Sequence, residues 1–215
     1  MAEQEFHAQL FLVVEAGEGA RERLAAALDV GAASVLIVPP VGSDLDPTAA
    51  TALVRDAQAA GAAALISGNA ALARQLKADG VHLPLAAEEE SIEPYELARE
   101  AVGPQGIVGV EAGQSRHDAM TLAEAGADYI AFGAPDEAQD HQAAHAHRLD
   151  QIAWWAEIFE VPCVALDVQS PAEALELAQS GADFIGITLP NGQSPARSAE
   201  RVREIAEILS AVATA

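Results

Sequence analysis

Gly126-Ala127-Asp128-Tyr129-Ile130 and Gly181-Ala182-Asp183-Phe184-Ile185 are two copies of one phrase. Looser copies stand upstream, Gly31-Ala32-Ala33-Ser34-Val35-Leu36 and Gly61-Ala62-Ala63-Ala64-Leu65-Ile66. A shortened copy is Ala78-Asp79-Gly80-Val81-His82-Leu83. Each follows an alanine-rich stretch of helical period and opens a short apolar run. A helix that ends at a glycine just past its last turn can pass straight into a strand. A strand covered by helices on both faces reads as a continuous apolar run. Repetition of that unit along one chain predicts a βα repeat that closes on itself.

Working outward, eight apolar runs read as strands, at 9–14, 34–38, 64–67, 81–83, 107–110, 129–132, 163–166 and 184–188. Helical segments lie between and after them, at 20–29, 48–59, 70–77, 91–102, 115–124, 149–159, 170–179 and 194–213. Asp46-Pro47, Ser170-Pro171-Ala172-Glu173 and Ser194-Pro195 are helix-start signals: a capping side chain followed by proline in the first turn. Strict alternation calls for right-handed crossovers and a parallel sheet. The expected class is α/β, a single (β/α)8 TIM barrel over residues 1–215. An open doubly wound sheet is the alternative, because alternation alone does not prove closure.

With 215 residues and 51% hydrophobic content, the chain can build one large core. No apolar run is long enough to span a bilayer. The start, Met1-Ala2-Glu3-Gln4-Glu5, has no basic segment followed by an apolar one. The lone Cys163 forms no intrachain disulfide and no thiolate metal site by itself. A cytoplasmic setting is expected. Thirty-three acidic residues against 11 basic ones give a net charge of −22. That surface repels phosphate backbones and anionic headgroups, so neither nucleic acid nor membrane is an expected partner. A small-molecule ligand at the C-terminal barrel face is expected instead, since catalytic loops of such barrels follow the strands. Those loops are 15–19, 39–46, 68–69, 84–90, 111–114, 133–147, 167–169 and 189–193.

Three segments carry a likeness to a known family. Leu65-Ile66-Ser67-Gly68-Asn69 through Ala78-Asp79-Gly80-Val81-His82-Leu83 resembles an Ile-Asn-Asp-Arg … Ala-Asp-Gly-Val-His-Leu-Gly-Gln stretch. Ile107-Val108-Gly109-Val110 through Gly126-Ala127-Asp128-Tyr129-Ile130-Ala131-Phe132-Gly133 resembles Ile-Gly-Val-Ser … Gly-Ala-Asp-Tyr-Ile-Gly-x-Gly-Pro. Pro162-Cys163-Val164-Ala165-Leu166 through Gly181-Ala182-Asp183 resembles Pro-Val-Val-Ala-Ile-Gly-Gly-Ile … Ala-Gly-Ala-Asp. The family is that of thiamine phosphate synthase and its thiazole tautomerase relatives. The resemblance implies a reaction in which a pyrimidine pyrophosphate is joined to a thiazole phosphate. Pyrophosphate leaves, and Mg2+ and basic groups stabilise the departing charge.

Position by position, the loops depart from that pattern. The family's Arg-x-Lys after the second strand is Val38-Pro39-Pro40 here, and its Asn-Asp-Arg is Ser67-Gly68-Asn69. Its Gly-Gln-x-Asp is Pro84-Leu85-Ala86-Ala87, and its glycine pair after the seventh strand is Asp167-Val168. Lys77 and all ten arginines fall in or at the edge of predicted helices, while the loops carry Glu15, Glu18, Glu111, Asp136, Asp140 and Asp167. A dianionic ligand meets repulsion there. The expectation is therefore a family barrel that has lost or changed the synthase reaction and binds a neutral or cationic molecule or a protein. An active thiamine phosphate synthase is the alternative. Mg2+ is its cofactor only in that case; otherwise the cofactor is unknown.

Several residues stand out as site candidates. Glu111 and Asp167 close the fifth and seventh strands and form, if both face inward, a coupled carboxylate pair for acid–base work or cation binding; each could instead cap its following helix. His82, Asn69, Gly133 and Thr188 stand at the segments of the resemblance as ligand-binding candidates. His82 could equally be a satisfied core histidine. His141 and His145, one helical turn apart, with Asp140, form a candidate site for zinc, nickel or cobalt, or a solvated polar loop. The loop 189–193 with Arg197 could receive an anion at a helix start. Trp154 and Trp155 point in different directions, so one of them could meet a second copy in a homo-oligomer.

Overall fold

The computed structural model describes residues 8–84, 92–113, 115–133 and 141–212. The strands are β1 (Gln9–Glu15), β2 (Ser34–Val38), β3 (Ala63–Ser67), β4 (Gly80–Leu83), β5 (Ile107–Glu111), β6 (Tyr129–Phe132), β7 (Cys163–Ala165) and β8 (Phe184–Leu189). Every neighbouring pair is parallel, and β8 returns to β1 with Leu10 opposite Ile185 and Leu12 opposite Ile187. That last ladder closes the barrel and removes the open-sheet alternative. The helices α1 (Ala20–Leu28), α2 (Pro47–Ala59), α3 (Ala70–Leu76), α4 (Glu93–Val102), α5 (Arg116–Glu124), α6 (His141–Ile158), α7 (Pro171–Gln179) and α8 (Pro195–Val212) follow their strands in order.

The repeated phrase does what its glycine demands. Gly61, Gly126 and Gly181 have φ of 83°, 102° and 104°. The following amides reach back five residues, Ala62 to Ala57 O, Ala127 to Leu122 O and Ala182 to Leu177 O, at 3.0–3.1 Å. This pattern terminates a helix and satisfies its last carbonyls. In the shortened copy Lys77 takes the left-handed position, with φ 56°. The aspartate of the phrase has a second task. Asp79, Asp128 and Asp183 each accept a backbone N–H from near the start of the preceding strand in the ring: Ala64, Val108 and Cys163, at 2.7–2.8 Å. The N-terminal end of the barrel is thus sewn together by carboxylates.

Packing forms two layers. Phe11, Val13, Leu36, Leu65, Tyr129, Ala131, Val164 and Leu166 fill the barrel interior. Alternate residues such as Leu12, Val14, Ile37, Ile130, Ile185 and Ile187 pack outward against the helices. Glycine 109 is needed where it stands, because a Cβ there would lie 1.8 Å from the Tyr129 ring. Trp155 is buried, donates to Val161 O at 2.7 Å and stacks on Phe159. Trp154 is half-buried, with the Arg116 guanidinium 4.7 Å from its ring centroid. Among the described residues no helix is long and apolar enough to cross a membrane.

Most predicted elements shift by one or two residues at one end or both, and two shifts bear on the mouth. The sixth helix begins at His141 rather than 149, so the last part of the predicted loop 133–147 is helical. The seventh strand ends at Ala165, which places Asp167 in the turn beyond it.

Candidate active site at the C-terminal mouth

At the mouth of the barrel, Glu111 ends β5 and Asp167 follows β7, with Gly133 at the end of β6 between them. Glu111 Oε1 and Asp167 Oδ2 lie 2.7 and 3.4 Å from the point where a Cβ on Gly133 would stand. Two carboxylates that are remote in sequence therefore meet over one glycine, and any larger residue at 133 would push into Glu111. Neither is a helix cap. Ser115 Oγ caps α5 by accepting from Asp118 N, and Ser170 Oγ caps α7 by accepting from Glu173 N. Asp167 also has a φ of 57°. That conformation costs a residue with a Cβ roughly 1 kcal/mol or more.

Below this pair lies His82, 2% exposed and inside the barrel. Its register partner on β5 is Gly109, one inward-facing layer deeper than Glu111. His82 Nδ1 is 2.9 Å from the Tyr129 hydroxyl, and the two rings stack at 5.8 Å with an interplanar angle of 13°. Burial pushes the imidazole down to about 4, so it is neutral near pH 7. Burial, helped by the Asp128 carboxylate, raises the Tyr129 phenol well above its ordinary value, so it keeps its proton. The floor of the mouth is thus an uncharged His–Tyr pair. Thr188 shares the inward face of β8 with Phe184, whereas Ile187 and Leu189 pack outward.

The remaining candidates fall elsewhere. Asn69 caps α3, its Oδ1 accepting from Leu72 N at 2.9 Å. His145 Nε2 bonds Glu176 at 2.8 Å, and its other nitrogen faces Glu173 at 3.6 Å, so this imidazole is tied to α7. His141 opens α6. Asp140 and Asp136 lie outside the described residues, as does most of the loop 84–90. Among the described residues no three His, Cys, Asp or Glu side chains come together as a metal site. Arg197 pairs with Glu200 on its own helix at 2.8 Å.

Reading the arginines by their place in helices misjudged where their charge goes. Three reach toward the mouth. Arg23, 2% exposed, donates to Glu18 O, Glu15 O and Asn191 Oδ1 and lines a cleft of about 410 Å3 between the β1–α1 and β8–α8 loops. Arg148, 1% exposed, donates to Leu166 O and to Glu173. Arg201 donates to Val168 O at 2.6 Å. Glu15, which the sequence counts as one more repelling charge, accepts from the Val41 and Asn191 amides. A long side chain carries its charge far from its Cα, and that reach is invisible in helix periodicity.

Fold and mouth together define a (β/α)8 barrel with polar groups gathered at the C-terminal ends of its strands. The family model for thiamine monophosphate synthase matches residues 10–189, and the chain belongs to that family. It is 37% identical over 196 residues to the thiamine-phosphate synthase of Erythrobacter litoralis (strain HTCC2594), covering 87% of this chain and 90% of the relative. It is 36% identical over 152 residues to that of Rhodospirillum centenum (strain ATCC 51521 / SW), covering 71% of each. Among solved structures, thiamine phosphate pyrophosphorylase from Pyrococcus furiosus superposes with a TM-score of 0.73 at 20% identity, covering 97% of this chain and 98% of that one. Tryptophan synthase from Mycobacterium tuberculosis gives 0.73 at 14% identity, covering 95% and 93%, which shows the shared fold alone.

These relatives overturn the expectation of a barrel that has abandoned the family reaction. Proteins named as synthases match this chain along most of its length. Departures from the family's carboxylates, cations and glycine pair in the loops, which point to lost activity in the sequence, do not outweigh similarity along most of the chain. Nor are the loops without cations, because Arg23, Arg148 and Arg201 reach their backbone from the helices.

Proposed function

We propose that this chain is an active thiamine-phosphate synthase, joining a pyrimidine pyrophosphate to a thiazole phosphate. The observation that carries the reading is the 37% identity over 87% of the chain to a synthase of that name. A cytoplasmic setting and a small-molecule ligand at the barrel mouth go with it. In the reaction the bond to pyrophosphate breaks, the leaving group keeps the electron pair, and a bond to the thiazole replaces it.

The residues of the mouth fit a hard divalent cation. Glu111 and Asp167 offer carboxylate oxygens around the space that Gly133 leaves open. Mg2+ commonly takes one or two protein carboxylates and completes its shell with water and substrate phosphate. Glu111 and Asp167 would hold it, and when bound it would neutralise charge developing on departing pyrophosphate. The chain's own groups do the rest. The neutral His82–Tyr129 pair gives a heteroaromatic ring an uncharged, rigid floor. Thr188 on the inward face of β8 is in reach of a ligand in the barrel. The start of α8 at Pro195 brings the positive end of a helix to the cleft that Asn191 and Gly192 line, an end that favours an anion.

The test is incubation of the purified protein with both substrates and Mg2+, following pyrophosphate release and thiamine phosphate together. Equal amounts of both products are expected. Pyrophosphate without thiamine phosphate, or neither, would sink the proposal.

A further inference from the structure

We infer that Arg148 and Arg201 are positioning residues that clamp the β7–α7 turn from both sides and hold the Asp167 carboxylate beside Glu111. The inference rests on the proposed cation role of that carboxylate pair. Arg148 comes from α6 and binds the carbonyl of Leu166, the residue before Asp167. Arg201 comes from α8 and binds the carbonyl of Val168, the residue after it, at 2.6 Å, with its other nitrogen 3.4 Å from Thr188 O. The amides on the same two residues are also held, Leu166 N to Phe132 O at 3.0 Å and Val168 N to Gly186 O at 3.1 Å. Asp167 is thus fixed on both flanks, and it is one of two non-glycine residues with positive φ among those described.

The arrangement is poor as a device for stability alone. The Nε atoms of Arg148 and Arg201 are buried without a hydrogen-bond partner among the described residues, and such orphaned donors are destabilising. Glu173 balances the Arg148 charge and also accepts from Gln169 N at 2.7 Å, so the same carboxylate ties the turn to α7. Apolar side chains would fill the space with no desolvation cost. What the guanidiniums add is direction. Two carbonyls are drawn outward toward the helices, which turns the intervening backbone into the left-handed conformation and the Asp167 side chain over Gly133. Neither arginine need touch a ligand.

The experiment titrates Mn2+, an electron-spin-resonance-visible substitute for Mg2+, in the presence of inorganic pyrophosphate. It compares wild type, Arg201→Met, Asp167→Asn and the double variant, with kcat and KM measured on the same samples. Arg201→Met should weaken Mn2+ binding about tenfold, the usual scale for removing a residue that orients a metal ligand. Kcat should fall while the KM for thiazole phosphate stays within about twofold. Adding Arg201→Met to Asp167→Asn should cost no further affinity. Arg201→Lys, which keeps the charge but reaches only one acceptor, should lie between, and it serves in place of Arg201→Met if that variant folds poorly. Unchanged Mn2+ affinity in the arginine variants overturns the clamp. So does an affinity loss that persists in the Asp167→Asn background, or a wild type that binds no Mn2+. Intact coupling in a protein without turnover keeps the clamp and removes the synthase reading.

Discussion

The two ends of this barrel use the same chemical group in opposite ways. At the N-terminal end Asp79, Asp128 and Asp183 each accept a strand amide, and Asp128 also binds Arg99. Their task is local and repeats with the sequence phrase. At the C-terminal end Glu111 and Asp167 meet over Gly133 although they come from different repeats. One of them sits in a conformation that costs stability. Carboxylates that complete backbone hydrogen bonds tie β3 to β4, β5 to β6 and β7 to β8. Carboxylates brought together at strained backbone are what a site needs, and a fold tolerates them only where surrounding structure over-determines them.

That contrast can be broken most sharply at the mouth. Glu111→Gln is expected to lower turnover in the coupled pyrophosphate assay roughly 10²–10³-fold, the scale for removing one preorganised electrostatic group. Its melting temperature should stay near that of the parent, and a loss below fivefold would take Glu111 out of the chemistry.

Acid titration probes the floor between the two ends. The His82 imidazole falls to about 4 in the folded chain, against about 6.5 when unfolded. Between those values the unfolded chain binds the extra proton. Stability from the neutral, buried ring is therefore fully present above pH 6.5 and is lost as pH falls toward 4. The loss is on the order of 3 kcal/mol. Urea unfolding across that window should show this slope in the parent and a flatter one in His82→Gln; parallel slopes would mean the ring is protonated in the fold.

At the N-terminal end, Asp128→Ala leaves the Val108 amide without its acceptor and should cost about 2 kcal/mol in urea unfolding. Its kcat should stay within a few-fold of the parent. The smallest change in stability is the most discriminating. Asp167→Gly relieves the left-handed strain and should stabilise the protein by roughly 1 kcal/mol while turnover collapses. A destabilised Asp167→Gly would mean that the side chain holds the turn rather than the turn holding the side chain.

How much of this was legible in the sequence follows the same division. Glycine 126 and 181, the apolar runs and the Ser–Pro helix starts placed all eight βα units, because each signal is local. Only the ladder between Leu10 and Ile185, made by residues at opposite ends of the chain, decides closure. The start of α6 was missed because His141-Gln142-Ala143-Ala144-His145-Ala146-His147 has no apolar stripe. Its hold on the fold is polar, through His145 to Glu176. Glu111 and Asp167 could be singled out as strand-end carboxylates, and Gly133 as a family position, but not their meeting point. The arginines were misread for a different reason. Periodicity locates a Cα, whereas the charge of Arg148 or Arg201 arrives at the far end of a long flexible chain. Left-handed Asp167 had one indirect signal, the glycine pair that the family carries at Asp167-Val168, and in the sequence that departure reads as a lost phosphate contact rather than as backbone conformation.

The most direct measurement sets the two ends side by side: kcat and urea stability of Asp167→Asn and Asp128→Asn in one series, each against the parent. Asp167→Asn is expected to keep the parent's stability and lose turnover at least a hundredfold. Asp128→Asn is expected to lose stability and keep kcat. Equal losses of turnover in both variants, or an Asp167→Asn protein with parental kcat, would contradict a division of labour between the ends of the barrel.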